Sequence, residues 1–145
     1  MMDIQKRKFS KKFTLFFLIL LFITACSSKK ELILEDFKNE ITAGMTSDQV
    51  KKKLGEPERI EKDNVKAIAQ RQKDAETSID MWPSEDENFY ENFFGGEKEE
   101  TRYLEKLRKK SDTSYYQYQY TENKNDEKDF FIYFIDDQVV WMSFP

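Results

Sequence analysis

The chain has 145 residues, with 24 Lys and Arg against 28 Asp and Glu, a net charge of −4 and no histidine. Without histidine there is no Ser-His-Asp or Cys-His catalytic unit and no His-ligated zinc site. One cysteine cannot form an internal disulfide, and 15% aromatic with 36% charged residues describe one small folded domain with solvated surfaces rather than a disordered tail.

The chain opens on a basic head, Lys6, Arg7, Lys8, Lys11 and Lys12, followed by an apolar run from Phe13 that ends in Ile23-Thr24-Ala25-Cys26. Basic, then apolar, then small is the order of a secretory signal. The run is shorter than the roughly 20 residues needed to cross a bilayer. An aliphatic residue, two small ones and then Cys resembles the lipobox of bacterial lipoproteins. That resemblance implies a cleaved signal peptide over residues 1–25, a diacylglycerol on Cys26, and Cys26 as the mature N-terminus on the outer face of the cell membrane. The competing readings are a plain signal peptide with a coincidental cysteine and an uncleaved anchor. A thiolate is well suited to take up the lipid, and two acyl chains anchor stably where one holds only marginally. Removing the signal leaves 19 basic against 27 acidic side chains, net −8. Nucleic acid and anionic lipid are bound by clustered Lys and Arg, so nucleic acid is excluded as a partner. With Cys26 committed to lipid, no thiolate metal site or cysteine nucleophile remains, and no cofactor is expected. The Lys-, Asn-, Ile- and Phe-rich usage leans toward a low-GC Gram-positive source.

Residues 26–30 form a short lipidated tether. Ser27 and Lys30 match S-x-x-K, but beside a lipid and without the S-D-N and K-T-G partners the match carries no nucleophile. A single domain follows over residues 31–145. Ile33, Phe37 and Ile41, at i, i+4 and i+8, predict a helix over Leu32–Ile41, ended by Ala43-Gly44. The next helix carries a full set of signals: a Thr46–Gln49 capping box, Met45 and Val50 placed as a hydrophobic staple, and Asp48 at the positive end of the dipole. Lys51 to Lys53 lie at its negative end, with Gly55 and Pro57 beyond. Val50 and Leu54 are its predicted buried face.

The pattern from Ile41 to Pro57, I-x-x-G-M-T-x-x-Q-V-x-x-x-L-G-x-P, resembles the helix-turn-helix opening of the SmpA/OmlA (BamE-like) lipoprotein superfamily. The resemblance implies an α+β fold in which two short helices lie on a three-stranded antiparallel sheet (ααβββ), a layout shared with β-lactamase-inhibitor-like modules. It also implies a role in envelope assembly or integrity. The sequence departs from the pattern after Glu58–Asp63, a candidate first strand with Ile60 as its one apolar residue. A helical insertion follows over about residues 64–111. Within it Val65–Thr77 is polar and weakly helical, Met81-Trp82-Pro83 forces an extended break, and Ser84–Glu87 reads as a second capping box before Phe89, Tyr90, Phe93 and Phe94. Glu97–Lys110 is amphipathic on Tyr103, Leu104 and Leu107. The departure puts any inherited partner in doubt.

The end of the chain reads as sheet. Tyr116, Tyr118 and Tyr120 share one face, with Tyr115, Gln117 and Gln119 on the other. Phe130–Ile135 is apolar on both faces, as in a central strand covered on both sides. The covering element is either the insertion helix carrying Phe89, Phe93 and Phe94, which is favoured, or a partner. Asp136-Asp137 turns the chain into Val139–Phe144, in which Val139 and Trp141 oppose Val140, Met142 and Phe144. Lacking glycine, this turn predicts a slightly longer loop. Adjacent acids in a hairpin are turn formers rather than a paired-carboxylate site, and Asn123–Glu127 lacks the spacing of a calcium loop. Exposed aromatic side chains offer large contact area at low entropic cost, which makes Trp82, Tyr90, Phe94 and Trp141 the candidate binding residues. The expectation is a lipid-anchored, extracytoplasmic, non-catalytic module that binds a protein partner. The alternative is a lipoprotein that takes glycan or peptide on an aromatic surface.

Overall fold

A computed structural model describes residues 31–77, 87–109, 112–123 and 126–143. The element order is α1 (Leu34–Glu40), α2 (Ser47–Leu54), β1 (Arg59–Glu61), α3 (Asn64–Thr77), α4 (Glu87–Phe94), α5 (Glu97–Lys109), β2 (Thr113–Asn123), β3 (Asp126–Ile135) and β4 (Gln138–Met142). The strands form one antiparallel sheet in the order β1-β2-β3-β4. The α+β class and the antiparallel sheet agree with expectation. The three-stranded layout does not: the candidate first strand forms as Arg59–Glu61, paired with Tyr115–Gln117, and with the three C-terminal strands it makes four. At the sheet edge a strand buries little, and for that reason a segment with one apolar residue suffices there.

One face of the sheet is covered by the two N-terminal helices. Phe37 of α1 stacks on Phe130 at 4.0 Å between centroids and meets Tyr118 and Tyr120 edge-on at 5.9 and 6.1 Å. Val50 and Leu54 of α2 are buried beside it. The caps of α2 form as expected: Gln49 N–H donates to Thr46 Oγ1 at 3.3 Å, and Thr46 N–H donates to Gln49 Oε1 at 2.8 Å. At the other end Gly55 takes φ +87°, and its carbonyl accepts from the Tyr118 hydroxyl at 3.1 Å. The α1 cap is simpler, since the Ile33 side chain has no acceptor. Asp36 Oδ2 accepts from Ile33 N–H at 2.9 Å, satisfying one donor at the helix start.

The second face is covered by the insertion: α3 lies over its β1–β2 side, and the aromatic helix α4 sets Phe94 against Trp141 at its β4 side. The polar helix α3 packs on β2 and β1, whereas α4 and α5 pack on each other, and α5 reaches β4, where Lys106 Nζ donates to Gln138 Oε1 at 2.7 Å. The reason lies in what the second face presents. Tyr115 and Tyr133 bring hydroxyls as well as rings, and Tyr133 donates to Asp74 of α3. A helix carrying an acceptor satisfies that hydroxyl, which accounts for the place of α3.

Two details of the β3–β4 hairpin depart from the sequence reading. The turn is two residues long, with Asp136 at φ 50° and Asp137 at φ 58°. Aspartate is among the few residues besides glycine that enter this region readily. Asp137 Oδ1 also accepts from Ser47 N–H at 3.4 Å, which sets a carboxylate at the start of α2. In β4 the register shifts between Tyr133 and Phe134, so Val139 pairs with Phe134 and Met142 with Ile132. The bulge at Val140 breaks the expected alternation and puts Val139 and Met142 on one face, while Trp141 pairs with Tyr133 on the other.

Candidate functional site

The Gly44–Thr46 turn between α1 and α2 is built into the sheet edge. Gly44 N–H donates to Val139 O at 2.8 Å, Val139 N–H donates to Met45 O at 2.8 Å, and Thr46 bridges Gln138. On its other side Ala43 N–H donates to Phe93 O at 2.9 Å. Gly44 has φ +86°, and a Cβ there would fall on the Tyr103 hydroxyl. The G-M-T of the motif is thus explained by backbone: only glycine combines this conformation with close approach to a packed ring. The segment pairs with the Gln138–Val139 end of the β4 edge, which would otherwise be open to another strand.

A polar cluster is buried under α3. Asp74, 9% exposed, accepts from the Tyr133 hydroxyl and from Gln70 Nε2, the latter at 2.8 Å. Burial raises the Asp74 pKa, opposed by hydrogen bonds from Tyr133 and Gln70 and by the Lys73 charge. The Tyr133 hydroxyl is pushed up by burial and further by Asp74. A carboxylate held by two donors in a low-dielectric interior fixes the rotation of α3 over the sheet. Sequence reading missed it because an aspartate ten residues into a polar helix looks like solvated surface. The available signal was spacing: Ala67 and Asp74, seven apart, share one helix face. On the opposite face of the sheet the buried Tyr120 hydroxyl has no hydrogen-bond partner among the described residues.

The sequence-predicted binding residues are not gathered into one site. Phe94 is 4% exposed and packs against Phe93, Tyr103 and Trp141, at 4.6, 6.2 and 6.4 Å between centroids, so it belongs to the core rather than to an exposed surface. Trp141 is half-buried on the second face beside it. Cys26, Trp82 and the Tyr90 side chain lie outside the described residues, as do residues 84–86 and the Glu87 side chain of the second capping box. The tyrosines of β2 are all buried, and the exposed large apolar residues among the described ones are Ile33, Ile60 and Val65. Among the described residues no three His, Cys, Asp or Glu side chains converge as a metal site would require, and no helix is long and apolar enough to cross a membrane.

Among the described residues, fold and site define a small α+β domain: one four-stranded antiparallel sheet with two helices on one face and the inserted helices on the other. Searches against protein-family models, curated proteins and solved structures returned no match.

Proposed function

We propose that the protein is a lipid-anchored, extracytoplasmic module of the cell envelope that binds a protein partner and catalyses no reaction. The observation that carries the reading is Ile23-Thr24-Ala25-Cys26, standing at the end of a short apolar run behind five basic residues. The motif from Ile41 to Pro57 supports a relationship to the SmpA/OmlA (BamE-like) superfamily. Its distinctive residues each serve the fold, with Gly44 at the sheet edge, Thr46 and Gln49 in the cap, and Gly55 at the helix end. On this reading the fold is the ααβββ plan with an edge strand and an inserted helical segment added. The burial of Tyr116, Tyr118 and Tyr120 favours a protein partner over a glycan, since these rings are not open for stacking on sugars.

The anchor is tested by replacing Cys26 with Ala. The variant is expected to remain unprocessed or to be lost from the lipid fraction. Normal processing with unchanged detergent partitioning would remove the basis of the proposal. Partner binding is tested by crosslinking the membrane-bound protein and comparing wild type with Trp141→Ala. A partner lost in the variant supports the module, and an empty crosslink profile in wild type counts against it.

A further inference from the structure

The chain enters the domain at a defined place. Leu32 O accepts from Thr121 N–H at 3.0 Å, tying the first described residues to the end of β2. Leu32 is six residues beyond Cys26, so a fully extended chain places it within about 20 Å of the lipidated sulfur. The acyl-bearing end of such an anchor lies at the boundary between headgroups and chains, and each headgroup layer is about 5–7 Å thick. Next in sequence is Ile33, 50% exposed at the start of α1 with its side chain outside the core. Ten residues of β3 separate this end from the Asp136–Asp137 turn, a rise of roughly 30 Å.

We infer that the domain stands on the bilayer on the end where Leu32 meets Thr121, with Ile33 in contact with the lipid headgroup region and the Asp136–Asp137 turn pointing away from the membrane. The inference rests on the lipid anchor proposed above. The short tether keeps this end at the surface, and Ile33 is an apolar side chain that the fold leaves uncovered beside the exit point. An aliphatic residue held there gains by leaving water for the interface. The opposite end, with Asp136, Asp137 and the start of α2, is then the part of the domain most accessible to a protein partner.

The test uses the full lipidated protein, purified from membranes and reconstituted in phosphatidylcholine vesicles doped with a headgroup spin-labelled lipid. Two variants, Glu122→Cys and Asp136→Cys, each carry a fluorophore on the introduced thiol; both sites are exposed. Vesicle flotation is measured on the same samples. The expected result is co-flotation of both variants, with the fluorophore at residue 122 quenched several-fold more than that at residue 136. Co-flotation with equal quenching, or with residue 136 quenched more, overturns the orientation and leaves the anchor standing. Failure to float overturns the anchor and the orientation with it.

Discussion

Replacing Gly44 with Ala tests how the motif turn is held against the sheet. Two costs add at this position. The backbone at φ +86° lies in the left-handed region, where an L-residue loses about 1–2 kcal/mol. The new Cβ would also collide with the Tyr103 hydroxyl, and overpacking of this kind costs about 1–3 kcal/mol. The sum is a loss of about 2–5 kcal/mol, a large share of the ~5–15 kcal/mol that holds a domain folded. With a urea dependence of about 2 kcal/mol per molar, the unfolding midpoint falls by roughly 1–2.5 M. A second substitution separates the two causes. With Tyr103→Phe in the same chain, the next atom facing the Cβ is Cζ at 3.5 Å, an ordinary contact. The double variant should therefore recover the steric part and keep the backbone part. Tyr103→Phe alone loses a hydrogen bond from Arg102 at 2.9 Å, worth about 1 kcal/mol. A Gly44→Ala loss below about 0.5 kcal/mol, within the ordinary range for surface changes, would refute the reasoning, as would a double variant no more stable than Gly44→Ala.

Three further outcomes follow from the buried polar groups and the hairpin. Because burial raises the Asp74 pKa, the folded state holds its proton to higher pH than the unfolded chain. The resulting stabilisation is complete below the unfolded value of about 3.9 and is lost as pH rises through the folded value. Asp74→Asn should be at least as stable as wild type at neutral pH and should lack this fall in denaturant titrations run at successive pH values. Tyr120→Phe removes a buried hydroxyl without a partner among the described residues and should raise stability by about 1 kcal/mol by thermal or urea unfolding; a loss of that size would mean the hydroxyl is satisfied. Asp136→Gly relieves a left-handed backbone at an exposed turn and should leave stability unchanged or raise it by up to about 1 kcal/mol. Asp137→Gly should gain less, because it also removes the contact to Ser47.

What was legible in the sequence was governed by local rules. The α2 helix, bounded by Thr46, Gln49 and Gly55, needed only neighbours a few residues away to be specified, and its caps form as its spacing predicts. The central position of Phe130–Ile135 was legible because a strand apolar on both sides must be covered on both. What covers it was legible only in part. Apolar content pointed to the helix of Phe89, Phe93 and Phe94, which meets Trp141 through Phe94, but α3 takes the rest of the face with Ala67 and Asp74 on its buried side. That choice depends on a tyrosine hydroxyl 59 residues away, and no window along the chain contains both partners. The two-residue Asp136-Asp137 turn escaped for a related reason. Its left-handed backbone is supported from outside the hairpin, through Ser47. Among the candidate binding residues, Phe94 looked like surface because helix α4 is aromatic on more than one side, and the fold uses that extra side against Tyr103 and Trp141.

The inserted segment departs from the sheet and returns to it at neighbouring points. Glu61 stands opposite Tyr115, and the side chain of Asn64, at the start of α3, accepts from Thr113 N–H at 2.9 Å where β2 begins. A loop whose two ends already touch can change in length or content without shifting the strands that flank it. The insertion can therefore change in content while β1 and β2 keep their pairing. Any replacement must still cover Tyr115, offer the Tyr133 hydroxyl an acceptor, and supply what Phe93 O gives Ala43 N–H and what Phe94 gives Trp141.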